Sequence, residues 1–472
     1  MNYRLAEGIS IEEHDGGGFL LSLRPLQLIR LNRPLLALAQ RLQHEAVTPA
    51  SAAEARVLDS LVKRGFVTPE WPALDPLNQP LVSIVIPVKD RAAELHDCLT
   101  SLSELDYPPE KLEIIVVDDG SRDATPEVAQ AAGARVIPSG SIGGGPAAAR
   151  NRGAAAAQGE ILAFIDSDCT ASKQWLKELL PVFTEEQVAA VGGWVDGMHD
   201  AAPLDRYEAV MSSLNLGRRA MSGNAGGDTF YLPSCNLLVR RTAFNAAGGF
   251  RAELQVGEDV DLTWRLRDGG RTIVYLPKGT VCHAHRSRLW SFMQRRFDYG
   301  TSEGLLQQLH PVRGKKMRLP PLLILPLLMM LISVLSFSLL PLLPALILLL
   351  ADGLRCRRRI KSQGLVLPLF KVLCARLRAT ASLGYYLGYH LLRYYLPLLL
   401  ICSLFYAPLG LFLLLTLLGV ATVDHQVRKA RLTLPIFWFF YLCEQLAYGS
   451  GVFMGCLHLK NFASYRLDLQ AE

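Results

Sequence analysis

None of the nine cysteines sits in a C-x-x-C pair. Their scatter (Cys98, Cys169, Cys235, Cys282, Cys356, Cys374, Cys402, Cys443, Cys456) excludes a cysteine zinc cluster and a disulfide framework, leaving reduced, mostly buried thiols as the expectation. The opening segment, MNYRLAEGISIEEHDGGG, lacks both a basic start and a long apolar run. It does not read as a signal peptide, so the front of the protein is expected to stay in the cytoplasm. No internal repeat is visible. The first buried strand runs into Val88-Lys89-Asp90-Arg91 and not into G-x-G-x-x-G, so the fingerprint of a dinucleotide dehydrogenase is missing. Positive charge is scarce at the front. The chain of 472 residues carries a net +6, but residues 311–472 hold 18 Lys/Arg against 5 Asp/Glu, which is +13 and leaves −7 for residues 1–310. This split argues against a nucleic-acid binder and for a soluble, mildly acidic front followed by a basic apolar tail attracted to anionic lipid.

Three regions follow from the patterning. Residues 1–72 form a small α+β unit: GFLLSL reads as a strand, LQLIRL continues its apolar pattern, and RPLLALAQRL and AAEARVLDSLVKRG read as helices. A Pro-rich linker covers 73–80. Over 81–310 buried strands alternate with helices: LVSIVIPV (81–88), AELHDCLTSLSEL (93–105), LEIIVVDD (112–119), ARVIP, GPAAARNRGAAAAQG and EILAFIDSD. Such alternation implies an α/β domain with a parallel sheet covered on both faces, whose ligands bind beyond the carboxyl ends of the strands. Residues 311–472 are Leu-rich, with apolar blocks at 319–350, 394–420 and 434–459. The first two are long enough to span a bilayer, and the third is interrupted by Glu444 and Gln445. Basic clusters flank the blocks on both sides, which simple spans cannot reconcile with positive-inside orientation; Pro326, Pro341 and Pro344 would let the first block turn back as a re-entrant hairpin. A helical membrane region is expected, on a cell membrane with the catalytic domain cytoplasmic.

Polar clusters fall at the strand ends. Asp118 and Asp119 end a strand before a Gly-Ser turn; they either accept hydrogen bonds from a nucleoside or simply terminate the strand. Asp166 and Asp168, in ILAFIDSDC, present two carboxylates after an apolar strand, where an extended chain would face them to one side. A hard divalent cation held there, Mg²⁺ or Mn²⁺, would neutralise a departing diphosphate. Chance placement of two turn acids is the plainer alternative. Glu258 and Asp259 open the helix of GEDVDLTWRL; acids in a first turn are ordinary caps, but a transfer to a hydroxyl acceptor that expels a diphosphate needs a base for the attacking oxygen. Asp259 is the chosen base, with Glu258 as substitute or partner. His283 and His285, two apart in TVCHAHRSR, could complete a metal shell or form a surface pair. Arg150, Arg152, Arg295 and Arg296 offer positive charge to a diphosphate, and Gly143 to Gly145 could let backbone approach a ligand closely.

Six motifs in order, VSIVIPVKDR, VVDDGSRD, ARNRGAAAAQGEILAFIDSD, PSCNLLVRR, GGF and GEDVDLTWRL, resemble the family-two glycosyltransferases of GT-A fold from about Leu81 to Tyr299. The resemblance implies a Rossmann-like nucleotide-sugar domain and an inverting single displacement. By it, Asp90, Asp118 and Asp119, beside Pro87 at the strand end, would hold the nucleoside. Asp166 and Asp168 would hold the ribose and the metal–diphosphate, and Asp259 would be the base. Asp90 stands where the family often has Asn, and Gln294-Arg295-Arg296-Phe297 is not the Q-x-x-R-W of processive synthases, which disfavours a long-chain synthase. The first 72 residues, through LNRP and LVKRGF, resemble the winged-helix peptide-binding domain of the pyrroloquinoline-quinone peptide chaperone. That module ahead of a membrane-anchored family-two enzyme is similar to the glycosyltransferases of mycofactocin systems. The implied donor is UDP-glucose, and the implied acceptor is a peptide-derived redox cofactor or its precursor, receiving glucose in β linkage. Two other readings fit the residues: a transferase acting on lipid-linked or exopolysaccharide acceptors, and a non-catalytic nucleotide-sugar-binding scaffold at the membrane.

Overall fold

In the computed structural model, which describes residues 1–14, 16–140, 143–223, 228–319 and 321–471, the chain forms two compact units. One unit comprises Met1–Pro72, Lys316–Val420 and Asp468–Glu472; the other comprises Ala73–Lys315 and Ala421–Leu467.

The first unit opens with β1 (Asn2–Leu5), β2 (Ile9–His14), β3 (Gly17–Leu23) and β4 (Leu26–Asn32), then α1 (Arg33–His44), α2 (Ala52–Lys63) and β5 (Val67–Glu70). β2, β3 and β4 make an antiparallel sheet with β3 central, and β1 pairs with β5. Each helix starts at a side-chain cap: Asn32 accepts from the Leu35 N–H at 3.1 Å and Ser51 from the Glu54 N–H at 3.2 Å, while Glu54 returns to the Ala50 N–H. The two-residue period of β3 divides its side chains. Leu20 packs with Leu42, Leu58 and Phe66 of the small core; Leu21 turns the other way, onto the helices that follow Lys316.

The second unit begins with β6 (Val82–Val88), α3 (Ala92–Ser103), β7 (Leu112–Asp118), α4 (Thr125–Ala131), β8 (Arg135–Pro138), α5 (Gly145–Ala156) and β9 (Ile161–Ile165). β6 lies parallel to β7 and β9, and β7 parallel to β8, as a β–α–β chain requires. The Ala-rich α5 sits close on the sheet: a Cβ at Gly153 would come within 2.3 Å of Val85 and 3.0 Å of Val117. Next come β10 (Cys169–Ala171), α6 (Trp175–Leu179), β11 (Val188–Gly192), β12 (Val195–Gly197), α7 (Pro203–Met211), β13 (Met221–Gly223), β14 (Asn236–Arg240), α8 (Arg241–Ala246), α9 (Glu258–Asp268), β15 (Thr272–Tyr275), β16 (Val281–His283) and α10 (Leu289–Leu309). The large sheet has the order β13-β15-β11-β14-β9-β6-β7-β8. The strands read from the sequence, β6 to β9, pair in parallel as expected; beyond them the sheet becomes mixed, because β14 runs antiparallel to both neighbours and β13 antiparallel to β15. β13 and β14 both run opposite to β11 and β15, and neither is joined to a sheet neighbour by a simple β–α–β crossover, the connection that imposes parallel pairing. A second, three-stranded sheet, β10-β16-β12, joins the segment after β9 to the one before α10.

The apolar blocks of the tail are helical, forming α11 (Pro321–Leu335), α12 (Leu342–Ser362), α13 (Leu369–Ser403), α14 (Ala407–Arg428) and α15 (Leu434–Leu459), while Lys315–Leu319 and Leu467–Ala471 pair as two short strands. The first two apolar blocks each divide between two helices. The block 319–350, of which Pro320 lies outside the described residues, breaks at the turn before Leu342, with Phe337 at φ 50°. The block 394–420 breaks between Ser403 and Ala407. Among the described residues one helix, Ala407–Arg428, is long and apolar enough to cross a membrane. The third block stays whole as α15, packed along α10 through opposed glycines. A Cβ at Gly300 would stand 2.3 Å from the Tyr448 carbonyl oxygen, and one at Gly451 2.1 Å from that of Phe297. Glu444, the interruption in this block, is buried and accepts from the Tyr207 hydroxyl at 2.8 Å. All nine cysteines are free thiols, Cys402 exposed and the others at least half-buried.

Candidate active site

The carboxyl ends of β6, β7 and β9 carry the acids read from the sequence. Asp90 follows β6 at φ 49°, its carboxylate accepting from the Arg122 N–H at 2.7 Å; Pro87 is buried opposite Val117. Asp118 caps the turn after β7 by accepting from the Ser121 N–H at 3.1 Å. Asp119 is buried and takes the Ser139 hydroxyl at 2.7 Å and the N–H groups of Gly144 and Gly145 at 3.2 and 3.3 Å. The glycine run therefore serves a protein carboxylate in this structure.

β9 ends at Ile165, and the Cys169 N–H closes a turn onto the Asp166 carbonyl. The extended geometry expected for Asp166 and Asp168 is therefore replaced by a turn, and the two acids meet different partners. Asp166 receives Arg150 at 2.6 Å; Asp168 receives Arg91 at 3.2 Å and lies 3.6 Å from His283 Nε2. The small sheet makes that last approach, since Cys169 on β10 registers with His283 on β16. Asp168, Cys169 and His283 each offer a ligand atom within 4.8 Å of the others. Cys169 is poorly suited to a hard ion: burial, reinforced by Cys235, keeps its thiol pKa well above the ordinary value. Asp168 and His283 remain, and the buried Nδ1 of His283 lacks a hydrogen-bond partner among the described residues. A carboxylate and an imidazole fit Mn²⁺ or Mg²⁺, the carboxylate preferentially. His285 stacks near His283 with ring centroids 4.8 Å apart; burial first, then the His283 charge, depresses it to about 2, so it is neutral.

Arg150, expected to meet a diphosphate, is buried on α5 and bridges Asp166 to Glu258, the latter at 2.9 Å. Burial opposes its charge, but Asp166 and Glu258 more than offset this and raise its pKa. Burial would likewise raise Asp166; the Arg150 charge and hydrogen bond hold it below the ordinary aspartate value. Arg152 is exposed on the same helix. Arg296 is also committed, paired in the interior with Glu208 and Glu444. Its neighbour Arg295 is exposed on α10, lies over the Tyr299 ring at 4.9 Å and feels the charges of Asp166 and Glu258.

Asp259 stands in the first turn of α9, entered through Gly257 at φ 84°. Its Oδ2 accepts from the Ser234 N–H at 3.1 Å and its Oδ1 from the Val260 N–H at 2.8 Å. Burial, then the adjacent Glu258, pushes its pKa up to about 7 despite these bonds. Arg150 thus pairs with Asp166 and Glu258 and feels the charge of Asp259, while Asp168, in the turn after β9, lies beside His283. Arg91 and Ser234 were not singled out by sequence, although the VKDR and PSCN motifs contain them.

A mixed α/β sheet with acids at its strand ends and a carboxylate poised near neutrality suits group transfer from an anionic donor. The chain belongs to glycosyltransferase family 2: the Glycosyl transferase family 2 model matches residues 83–248, and glycosyltransferase AglE of Haloferax volcanii is 30% identical over 213 residues, 44% of this chain and 68% of that protein. More particularly, it resembles the pre-mycofactocin glycosyltransferase of Mycobacterium tuberculosis, 38% identical over 235 residues, 49% of this chain and 48% of that enzyme. The chain thus spans about half the length of that curated relative. Among solved structures, the mannosyltransferase PcManGT from Pyrobaculum calidifontis in complex with GDP-Man and Mn²⁺ aligns with 76% of this chain and 90% of its own at 20% identity and a TM-score of 0.42. The family membership and the α/β architecture expected from the sequence are both borne out.

Proposed function

We propose that this chain is an inverting hexosyltransferase that moves glucose from UDP-glucose to a hydroxyl of a peptide-derived redox cofactor or its precursor, working at the cell membrane from the cytoplasmic side. The observation that carries the reading is Asp259: a carboxylate fixed on a helix end, with a pKa of about 7, beside acids and a cation that suit a nucleotide diphosphate. Asp259 takes the proton of the acceptor hydroxyl as its oxygen bonds to C1 of the sugar from the face opposite the leaving group. The C1–O bond to the diphosphate breaks and its electron pair leaves with the nucleoside diphosphate. Arg295 supplies positive charge to that group, and Arg150 keeps Asp166 and Glu258 ionised and in place. Asp168 and His283 would hold a divalent ion, Mg²⁺ or Mn²⁺, whose charge favours departure of the diphosphate. Asp119 and Asp90 border the place for the nucleoside. Support for the acceptor comes from the 38% identity to a protein named for pre-mycofactocin glycosylation.

A second reading, a lipid-linked acceptor, is favoured by the apolar side chains exposed along α11 to α14. The test presents purified full-length chain with UDP-[¹⁴C]glucose, Mn²⁺ and either a peptide-derived precursor or diacylglycerol vesicles, and reads the products by mass spectrometry. Hexose on the peptide-derived product supports the first reading; hexose on lipid alone overturns it.

A further inference from the structure

We infer that the membrane-binding part of the first unit is a single-leaflet wedge: the turns of two helical hairpins enter the bilayer together and do not reach its far side. The inference rests on the membrane reading above and concerns how deep the chain goes.

Three observations within that unit carry it. The turn between α11 and α12 and the turn between α13 and α14 share one end, because the Tyr406 hydroxyl donates to the Leu335 carbonyl at 3.0 Å. That end is strongly apolar and uncovered: Leu339, Leu340, Leu404 and Phe405 are each 80 to 87% exposed. Water would penalise such a cluster, whereas acyl chains would not.

The opposite end is aqueous. There Ile360, Leu367 and Val372 pack against Leu21 of the β2–β3–β4 sheet, and Arg378 donates to the Leu23 carbonyl at 3.2 Å.

Charge then limits the depth. From Leu342, α12 runs about 15 Å before Asp352 and about 20 Å before Arg355, at 1.5 Å per residue. Asp352 is itself paired with Arg376 of α13 at 2.6 Å. α13 ends at Ser403, and Arg393 lies about 15 Å back along it, flanked by Tyr389, Tyr394 and Tyr395. These distances match half of the roughly 30 Å hydrocarbon core, not the whole. An arginine with tyrosines at that height belongs to the headgroup layer of the leaflet entered. Above it, Arg355, Arg357, Arg358, Arg359 and Lys361 form a basic collar whose complement is anionic phospholipid. α14 is long enough to cross by itself, but it shares a turn with α13, whose last charge, Arg393, lies about 15 Å before the helix end.

The test is a mass-tag assay on full-length Leu340→Cys and Phe405→Cys chains, counting maleimide–polyethylene glycol tags added beyond those on the parent chain. Flotation of the purified chain with phosphatidylglycerol vesicles and with phosphatidylcholine vesicles accompanies it. The expected result is no extra tag in intact cells, no extra tag in inverted membrane vesicles, and one extra tag after detergent. At least tenfold tighter flotation with phosphatidylglycerol is expected, weakening with salt. An extra tag in intact cells would place the tip across the membrane, overturning the depth while leaving attachment standing. An extra tag in inverted vesicles, with no flotation on either lipid, would overturn attachment as well. A tip that stays untagged in detergent is covered by protein and also refutes the wedge. Equal flotation on both lipids would refute the collar.

Discussion

Replacing Asp259 by Asn tests the chemistry most directly. The side chain keeps its shape, but one carboxylate oxygen becomes an NH₂ facing a backbone N–H, either that of Ser234 or that of Val260, so one hydrogen bond is lost at a cost of about 1–3 kcal/mol. Against this stands a larger gain at high pH. Moving the carboxyl from its ordinary 3.8 to about 7 corresponds to about 4 kcal/mol of unfavourable ionisation in the folded state. The sign follows from the direction. With the folded pKa raised, the stability contributed by Asp259 is present below about pH 4 and lost as pH rises towards 7. The variant should therefore melt at or above the parent temperature at pH 8, and its melting temperature should fall less between pH 4 and 7. Turnover should behave oppositely. Removing a general base costs about 10²–10⁴ in rate, equivalent to about 3–5 kcal/mol of barrier. In the parent, kcat should climb with pH through about 7 to a plateau, as the carboxyl loses its proton. The variant should lack that limb while binding UDP-glucose with unchanged affinity by calorimetry. Turnover within a few-fold of the parent, or a surviving limb near pH 7, would refute the base assignment.

Arg150→Met strands two carboxylates and should destabilise the protein by about 3–5 kcal/mol in urea melts, with the replacement Arg150→Lys recovering only part because it cannot bridge both. Asp168→Asn and His283→Ala should each raise the Mn²⁺ concentration needed for half-maximal transfer by tenfold or more, and chelation should silence the parent; metal titrations of initial rate read both. Gly451→Val, whose Cβ would meet the Phe297 carbonyl at 2.1 Å, should loosen α15 from α10 and lower the melting temperature by several degrees, while Gly419→Ala, with nothing within 4 Å, should not.

The apolar runs before Asp118 and Asp166 were legible as buried strands because they are short, rich in Ile and Val or aromatic residues, and closed by turn-forming acids. Asp259 was legible as a helix-start acid because apolar residues recur behind it. The pairing of strands was harder to read. β14 is as apolar as β9 and β11, against which it runs antiparallel, and direction is decided by the path of the chain, not by composition. The fate of the arginines was equally hidden. Arg150 and Arg295 look alike in one dimension, yet one is buried between two carboxylates and the other faces outward on α10. Likewise Glu444 looked like a defect in a membrane segment, whereas burial beside Arg296 and Tyr207 explains its presence. Long-range partners of this kind, separated by more than a hundred residues, leave no local periodicity to read.

The helix bearing Arg295 is clasped by α15, which the ribosome makes only after Lys316–Val420 has emerged. Lys316–Val420, which belongs to the other unit, is therefore made between the two partners of this helix pair. The glycines of α10 must wait through that whole insertion before those of α15 exist to receive them, so this unit closes by a contact distant in sequence and is slow to form on that account.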